Sequence, residues 1–240
     1  MDIITSRENL RVKEARKLLK KKYRNQSNSY LIEGFHLLEE AIKANVKIKD
    51  IFVDVEKIDK LPKEISKFTI VNFDVLKSLS DTGNPQGLVA CLEKEEKFFQ
   101  DKGKILILEN IQDPGNLGTL IRTADAADFS SVICLGETAD IYNSKVLRSA
   151  QGSHFHLPIK AVKEIDYHQF ENLLVTTLSK DSQDYREIHL TNFALVLGNE
   201  GAGVSEQAVQ AADYLIHISM PGQAESLNVA VAAGILMISL

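Results

Sequence analysis

From Ile105 onward, short runs of aliphatic and β-branched residues alternate with runs whose apolar residues recur at helical spacing. Residues 105–108, 132–135, 173–177, 193–197 and 214–218 read as strands, and helices are expected over 117–127, 145–150 and 206–211. A last helix starts from Ser226, which is placed to cap it. Such alternation implies a largely parallel sheet with helices on both faces, because parallel strands need crossover connections. In open sheets of this kind ligands sit beyond the carboxyl ends of strands, so residues of interest should lie in loops that follow strands. His154 and His156 alternate as they would on one strand face, where core or surface positions suit them.

The first 92 residues form a smaller α/β pattern. A helix with Ser6 as its cap carries Leu10, Leu18 and Leu19 among charges. Strands at 29–33, 48–54, 68–71 and 86–92 accompany helices at 35–44 and 75–79. Residues 93–104 (EKEEKFFQDKGK) are polar or glycine at ten of twelve positions and read as a linker. The expected organisation is an N-terminal domain over 1–92, the linker over 93–104 and a second domain over 105–240.

Composition excludes several classes. Hydrophobic residues make up 44% and charged residues 25% of the 240, which does not describe a disordered or collagenous chain. No apolar run reaches the roughly 18–20 residues of a membrane span, and the opening residues do not make a signal peptide, so a cytoplasmic protein is expected. Cys91 and Cys134 sit apart in β-rich runs and read as buried thiols, not as zinc ligands. No histidine cluster has metal-ligand spacing, and no metal is expected. The net charge of −5 hides an asymmetry: residues 1–24 carry net +6 and the remainder −11. Clustered cations of this sort suit an anionic partner such as a phosphate backbone, and equally a solvated helix face.

Three loops then stand out. Strand 105–108 leads into Asn110-Ile-Gln-Asp-Pro-Gly-Asn116, a turn that opens a helix bearing Arg122. Strand 193–197 leads into Gly198-Asn-Glu-Gly-Ala-Gly203, which has neither a P-loop nor a dinucleotide-fingerprint spacing but permits close backbone approach to a ligand. Strand 214–218 leads into Ser219-Met-Pro-Gly-Gln-Ala-Glu-Ser-Leu-Asn-Val229, where Ser226 and Asn228 offer a hydroxyl and an amide at a helix entrance.

Taken in order, N-x-x-D-P-x-N-x-G-x-x-x-R over 110–122, L-G-N-E-G-x-G-V-S over 197–205 and M-P-G-x-x-E-S-L-N-V over 220–229 resemble the three motifs of the SpoU family of RNA ribose 2'-O-methyltransferases, in the SPOUT superfamily. Residues 142–152 resemble that family's intervening helix, and Ser6-Arg-Glu-Asn9 with Leu31-Ile-Glu-Gly34 resemble its N-terminal substrate-binding domain. The resemblance implies a trefoil-knotted parallel-sheet domain preceded by a smaller RNA-binding α/β domain, S-adenosylmethionine as cofactor, and a homodimer whose site is completed across the interface. It assigns Asn116, Arg122, Glu200, Ser226 and Asn228 to catalysis or substrate handling. It assigns Thr177, Leu197, Gly198, Asn199, Gly201, Ile218, Met220 and Leu227 to the cofactor. Arg7, Arg11, Lys20, Lys21, Lys22, Lys145 and Arg148 are the candidate RNA contacts. Two positions depart from the family pattern: Ser219 stands where proline is usual and Asp128 where glycine is common.

Ribose methylation requires a 2'-hydroxyl aligned with a sulfonium carbon and relieved of its proton. The family reading makes Arg122 the base; guanidinium is essentially never deprotonated in proteins, so an orienting role on phosphate or alkoxide is the alternative. Ribosomal RNA, in particular that of the large subunit, is favoured over transfer RNA by the separate N-terminal domain. A small-molecule methyltransferase would not need that basic domain, and a catalytically silent RNA binder would not need the intact motif residues.

Overall fold

In the computed structural model, which describes residues 3–240, the chain divides into two units. The first contains the residues up to Glu96 together with Tyr142–Phe155, and the second contains Lys97–Ile141 and His156–Leu240.

The first unit begins with two short helices where the sequence suggested one. Helix α1 (Leu10–Lys17) is capped by Asn9, not Ser6: the Asn9 side chain accepts the Arg11 N–H at 3.0 Å. Leu18 and Leu19 then leave the helix, and their carbonyls are taken by the buried Arg24 guanidinium at 2.8 and 2.9 Å, from within α2 (Lys21–Ser27). Strand β1 (Ser29–Glu33), helix α3 (Phe35–Lys43), strands β2 (Ile48–Asp54) and β3 (Thr69–Val71), helix α4 (Phe73–Lys77) and strand β4 (Leu88–Glu93) follow. The sheet order is β1-β4-β2-β3, with β4 antiparallel to both neighbours and β3 parallel to β2. Alternation along the strands sends Tyr30, Ile32, Ile51, Val53 and Ala90 to one core, and Leu31, Phe52 and Val89 to the other, with Val12, Leu18 and Leu76.

In the second unit β5 (Lys104–Glu109) runs into α5 (Pro114–Ala126), then β6 (Ser131–Leu135). Helix α6 (Ser144–Ala150), the expected crossover helix of the second domain, belongs instead to the first unit, where Leu147 and the following Phe155 join the core of Tyr30, Ile32 and Leu38. Burying two such side chains contributes about 1.5–3 kcal/mol each toward holding the excursion on this core. The 105–240 boundary therefore has an internal exception that spacing could not reveal. His154 lies in a single 3-10 turn (Ser153–Phe155), not on a strand, because Gln151 (φ 51°) and Gly152 (φ 101°) reverse the chain. His156 is exposed and its Nδ1 lies 2.8 Å from Asp125.

The chain returns as β7 (Ile159–Val162), which the sequence reading missed, then β8 (Leu173–Thr176), the two-residue β9 (Gln183–Asp184), β10 (Phe193–Leu197), α7 (Glu206–Ala211), β11 (Tyr214–His217) and α8 (Val229–Ser239). All seven strands are parallel, in the order β7-β6-β5-β10-β8-β11-β9. That order, unlike the chain order, makes β5, β10, β8 and β11 consecutive, so the loops leaving their carboxyl ends meet. Helices α5 and α8 pack on each other. Asp128 has a φ of 59°, a conformation that glycine adopts freely and that aspartate tolerates better than most residues, which accounts for the departure at this position.

Candidate active site

Asp113 caps α5 by accepting the Asn116 N–H at 2.9 Å, with Pro114 at the first helical position, so the helix starts three residues before the expected Leu117. Asn116 thus lies in the first turn, with its side chain free of capping. Its amide nitrogen donates to Glu200 Oε1. Asn228 Nδ2 donates to the same oxygen at 3.2 Å and to Asn116 Oδ1 at 3.4 Å. The other end of the Asn228 amide caps α8, its Oδ1 accepting from the N–H groups of Ala230 (3.0 Å) and Val231 (3.4 Å). Asn228, not Ser226, is therefore the cap of the last helix, and one side chain serves both helix and cluster. Glu200 Oε2 has no partner among the described residues.

Glu200 also lines a cleft of about 450 Å³, within the range of roughly 300–1,000 Å³ usual for small-molecule sites. The cleft is walled by aliphatic side chains that include Leu197, Val204, Ile216 and Leu236, and Ser226 lies on it too. Thr177, Gly198, Asn199, Gly201, Ile218, Met220 and Leu227 all line it, and Glu200 is its one acid among the described residues. The 198–203 loop is tightly closed: Asn199 and Gly203 exchange backbone hydrogen bonds of 3.0 and 2.9 Å. A Cβ on Gly198 would stand 2.2 Å from the Gly203 carbonyl oxygen, so no other residue fits there without moving backbone. The Asn199 side chain braces this loop, accepting from Gly201 and Ala202 N–H at 2.8 and 3.1 Å and donating to the Asn110 carbonyl at 3.0 Å.

Arg122 is not drawn into the cluster. Six residues beyond Asn116, it lies about 9 Å further along the helix and about 120° around it. It is exposed, makes no hydrogen bond or ion pair among the described residues, and does not line the cleft. Glu109, which sequence reasoning passed over, is buried at the end of β5 against Tyr167 and Ser205; the available signal was an acid closing the aliphatic strand KILILE.

The basic N-terminal segment is partly neutralised. Arg7 pairs with Asp74 at 3.4 Å, Arg11 with Asp50 at 2.7 Å, Lys13 with Glu8 and Lys17 with Glu14, while Arg24 is buried. Asp2, counted in the segment's charge, lies outside the described residues. Lys20, Lys21 and Lys22 are exposed and form no ion pair among the described residues, Lys22 approaching the Tyr23 ring. Exposed pairs are worth only about 0–1 kcal/mol, so Arg7 and Arg11 can exchange their carboxylates for phosphate. Lys145 is exposed on α6, whereas Arg148 is half-buried on a small cavity with Glu33 and Asp81.

Both cysteines are buried, which pushes the Cys91 thiol up to about 11 and that of Cys134 up to about 12 and leaves neither as a nucleophile. Among the described residues no group of three or more His, Cys, Asp or Glu could hold a metal ion, and no helix is long and apolar enough to cross a membrane.

Residues 103–238 match the model of the SpoU rRNA Methylase family, and residues 9–90 match that of the MRM3-like substrate binding domain. The chain belongs to the SpoU rRNA methylase family. A relative from Bacillus subtilis (strain 168), 23S rRNA (guanosine(2553)-2'-O)-methyltransferase RlmP, is 40% identical over 99% of this chain and 98% of its own. The crystal structure of an AdoMet-bound rRNA methyltransferase from Sinorhizobium meliloti superposes with a TM-score of 0.86 at 32% identity, covering 99% of this chain and 96% of that one. An RNA 2'-O ribose methyltransferase structure gives 0.83 at 32% identity, covering 99% and 97%. The fold of this SpoU methylase is that of the SPOUT methyltransferases, and the protein is an S-adenosylmethionine-dependent RNA 2'-O-ribose methyltransferase. Aliphatic walls suited to a purine and a single carboxylate suited to a sulfonium make the cleft fit this cofactor.

Proposed function

We propose that this enzyme methylates a ribose of large-subunit ribosomal RNA as a cytoplasmic homodimer without metal, holding S-adenosylmethionine in the cleft and the ribose at the Asn116–Glu200–Asn228 cluster. The observation that carries the reading is that cluster: Asn116 and Asn228, from two of the motifs, converge on the carboxylate of the third, Glu200, which lines the cleft. Bound S-adenosylmethionine supplies the electrophilic methyl carbon. Asn116 and Asn228 hold Glu200 Oε1, which leaves Oε2 to accept the 2'-hydroxyl proton. Ser226 lines the same cleft and adds a hydroxyl beside the ribose. Arg122 orients the adjacent phosphate, and its exposed position away from its own cleft supports a site completed by the partner subunit. Helix α8 supports the dimer as well, its apolar sequence leaving Val231 (53%) and Ile238 (65%) exposed.

The large-subunit assignment leans on the full-length similarity to RlmP and on a basic N-terminal unit. Mapping 2'-O-methylation across total RNA from a deletion strain and its parent tests it. One methyl missing from the large-subunit RNA is expected, with the guanosine named for RlmP the first to inspect; a loss confined to transfer RNA refutes the assignment. Replacing Lys20, Lys21 and Lys22 by alanine should flatten the fall of log affinity with log salt, by about 0.7 per lost phosphate contact on single strands and about 0.9 on duplex, with cofactor affinity unchanged. An unaltered slope would make these lysines a solvated face only.

Gly198→Ala should weaken S-adenosylmethionine binding by about 5- to 100-fold in calorimetry. Forcing an extra methyl into packed structure costs about 1–3 kcal/mol, and about 1.4 kcal/mol is one decade of affinity. Wild-type affinity in this variant would remove the 198–203 loop from the cofactor site.

A further inference from the structure

Glu109 is the most deeply buried acid among the described residues, 2% exposed, yet no step above uses it. Its surroundings consist of donors. Tyr167 donates its hydroxyl to Oε1, Ser205 donates its hydroxyl to the same oxygen at 2.8 Å, and the Ser205 N–H donates to Oε2 at 2.7 Å. Three donors and an acceptor-only group describe a carboxylate satisfied as the anion. The Ser205 hydroxyl meanwhile accepts from the Ala208 N–H at 3.2 Å and so caps α7. Burial, and then the bond to Glu109, push the Tyr167 hydroxyl well above the usual phenol range, which keeps it a donor.

The next residue, Asn110, accepts from Asn199 Nδ2 at 3.0 Å. Pairing between β5 and β10 ends at Leu108 and Leu197. Beyond that point two consecutive residues of the β5 end grip the following loop at both of its ends, Asn199 where it begins and Ser205 where it closes. Between the grips lie Glu200 and Gly201, which line the cleft.

We infer that Glu109 is a positioning residue that holds the 198–205 loop in its cofactor-binding form through Ser205. The inference rests on the cofactor cleft proposed above. Without the carboxylate the loop keeps only its Asn199 tether, and its far end, with α7, is released from β5. Cofactor affinity should then fall while the RNA-binding surface of the first unit is untouched.

Glu109→Gln tests this with little change of shape. A glutamine can accept at one atom only and presents an N–H to donors at the other, so one of the three bonds must fail. In calorimetry the variant should bind S-adenosylmethionine about tenfold or more weakly, the effect of stranding one buried donor. The KM for S-adenosylmethionine should rise in step while the KM for RNA stays within twofold, and hydrogen exchange at Gly201 and Ala202 should accelerate. A general loss of folded protein would instead lower kcat with both KM values unchanged, and that pattern overturns the inference. Should Glu109→Gln not fold, Ser205→Ala, which removes one donor and keeps the N–H, is expected to weaken cofactor binding several-fold, and Tyr167→Phe to leave the Ser205 grip and change it less. Wild-type cofactor affinity in folded Glu109→Gln or in Ser205→Ala refutes the proposal. Failure of the wild-type enzyme to bind S-adenosylmethionine in the same titration would mark the cleft reading, not the role of Glu109, as wrong.

Discussion

Glu200→Gln should lower kcat by about 10²- to 10⁴-fold, the usual contribution of a positioned general base. The glutamine carbonyl can still accept from Asn116 and Asn228, so the cluster keeps its shape, and S-adenosylmethionine affinity should fall far less than kcat, by no more than the lost attraction between carboxylate and sulfonium. What is lost is the open oxygen that takes the 2'-hydroxyl proton. A positioned acceptor takes the hydroxyl proton directly, so the wild-type rate should depend on pH less steeply than that of the variant. In the variant the hydroxyl must ionise unaided, and its residual rate should climb with pH. Single-turnover methylation of an RNA substrate, followed across pH, checks both slopes. A variant that turns over like the wild type eliminates Glu200 as base.

Arg122→Ala should cost about 10- to 100-fold in kcat/KM, the value of a charge-assisted hydrogen bond to phosphate, with cofactor affinity intact because Arg122 does not line the cleft. Arg122→Lys separates orientation from proton transfer. Lysine keeps the charge but loses the planar fork, so an orienting role predicts a large loss that alkaline pH does not repair. A true base should be partly rescued as pH rises toward lysine's ordinary value of about 10.4. Mixing Arg122→Ala and Glu200→Gln subunits adds a geometric test. If each site takes Glu200 from one subunit and Arg122 from the other, mixed dimers contain one intact site and regain activity. If both come from one chain, no mixed dimer does.

Much of the machinery could be read from the chain alone, because it depends on local chemistry. Aliphatic runs ending in Asn110, Gly198 and Ser219 marked strands followed by loops, and strands form wherever such runs can be buried on both faces. The cleft-lining residues were named through the resemblance of those loops to the SpoU motifs. Local rules failed where a competing partner was near in sequence. Asn9 outcompeted Ser6, Asp113 capped a helix that begins three residues before the expected 117, and Asn228 took the cap expected of Ser226, since several residues in each stretch could serve and only packing chooses among them.

Other features were decided by tertiary structure. The strand order β5-β10-β8-β11 brings residues 84 and 28 positions away in sequence onto the Glu200 carboxylate, and no periodicity encodes which strands become neighbours. Helix α6 has the same amphipathic pattern whichever core receives it, so its place in the first unit rests on Leu147 and Phe155 finding apolar partners there. Charge behaved likewise. The composition of residues 1–24 counted Arg24 with the lysines, but burial turned it inward to two carbonyls, leaving Lys20, Lys21 and Lys22 as the exposed stretch. An acid closing the strand KILILE was visible in the sequence, but the role of Glu109 could be read only once three donors were seen around it, because a carboxylate can leave water only where the fold supplies them.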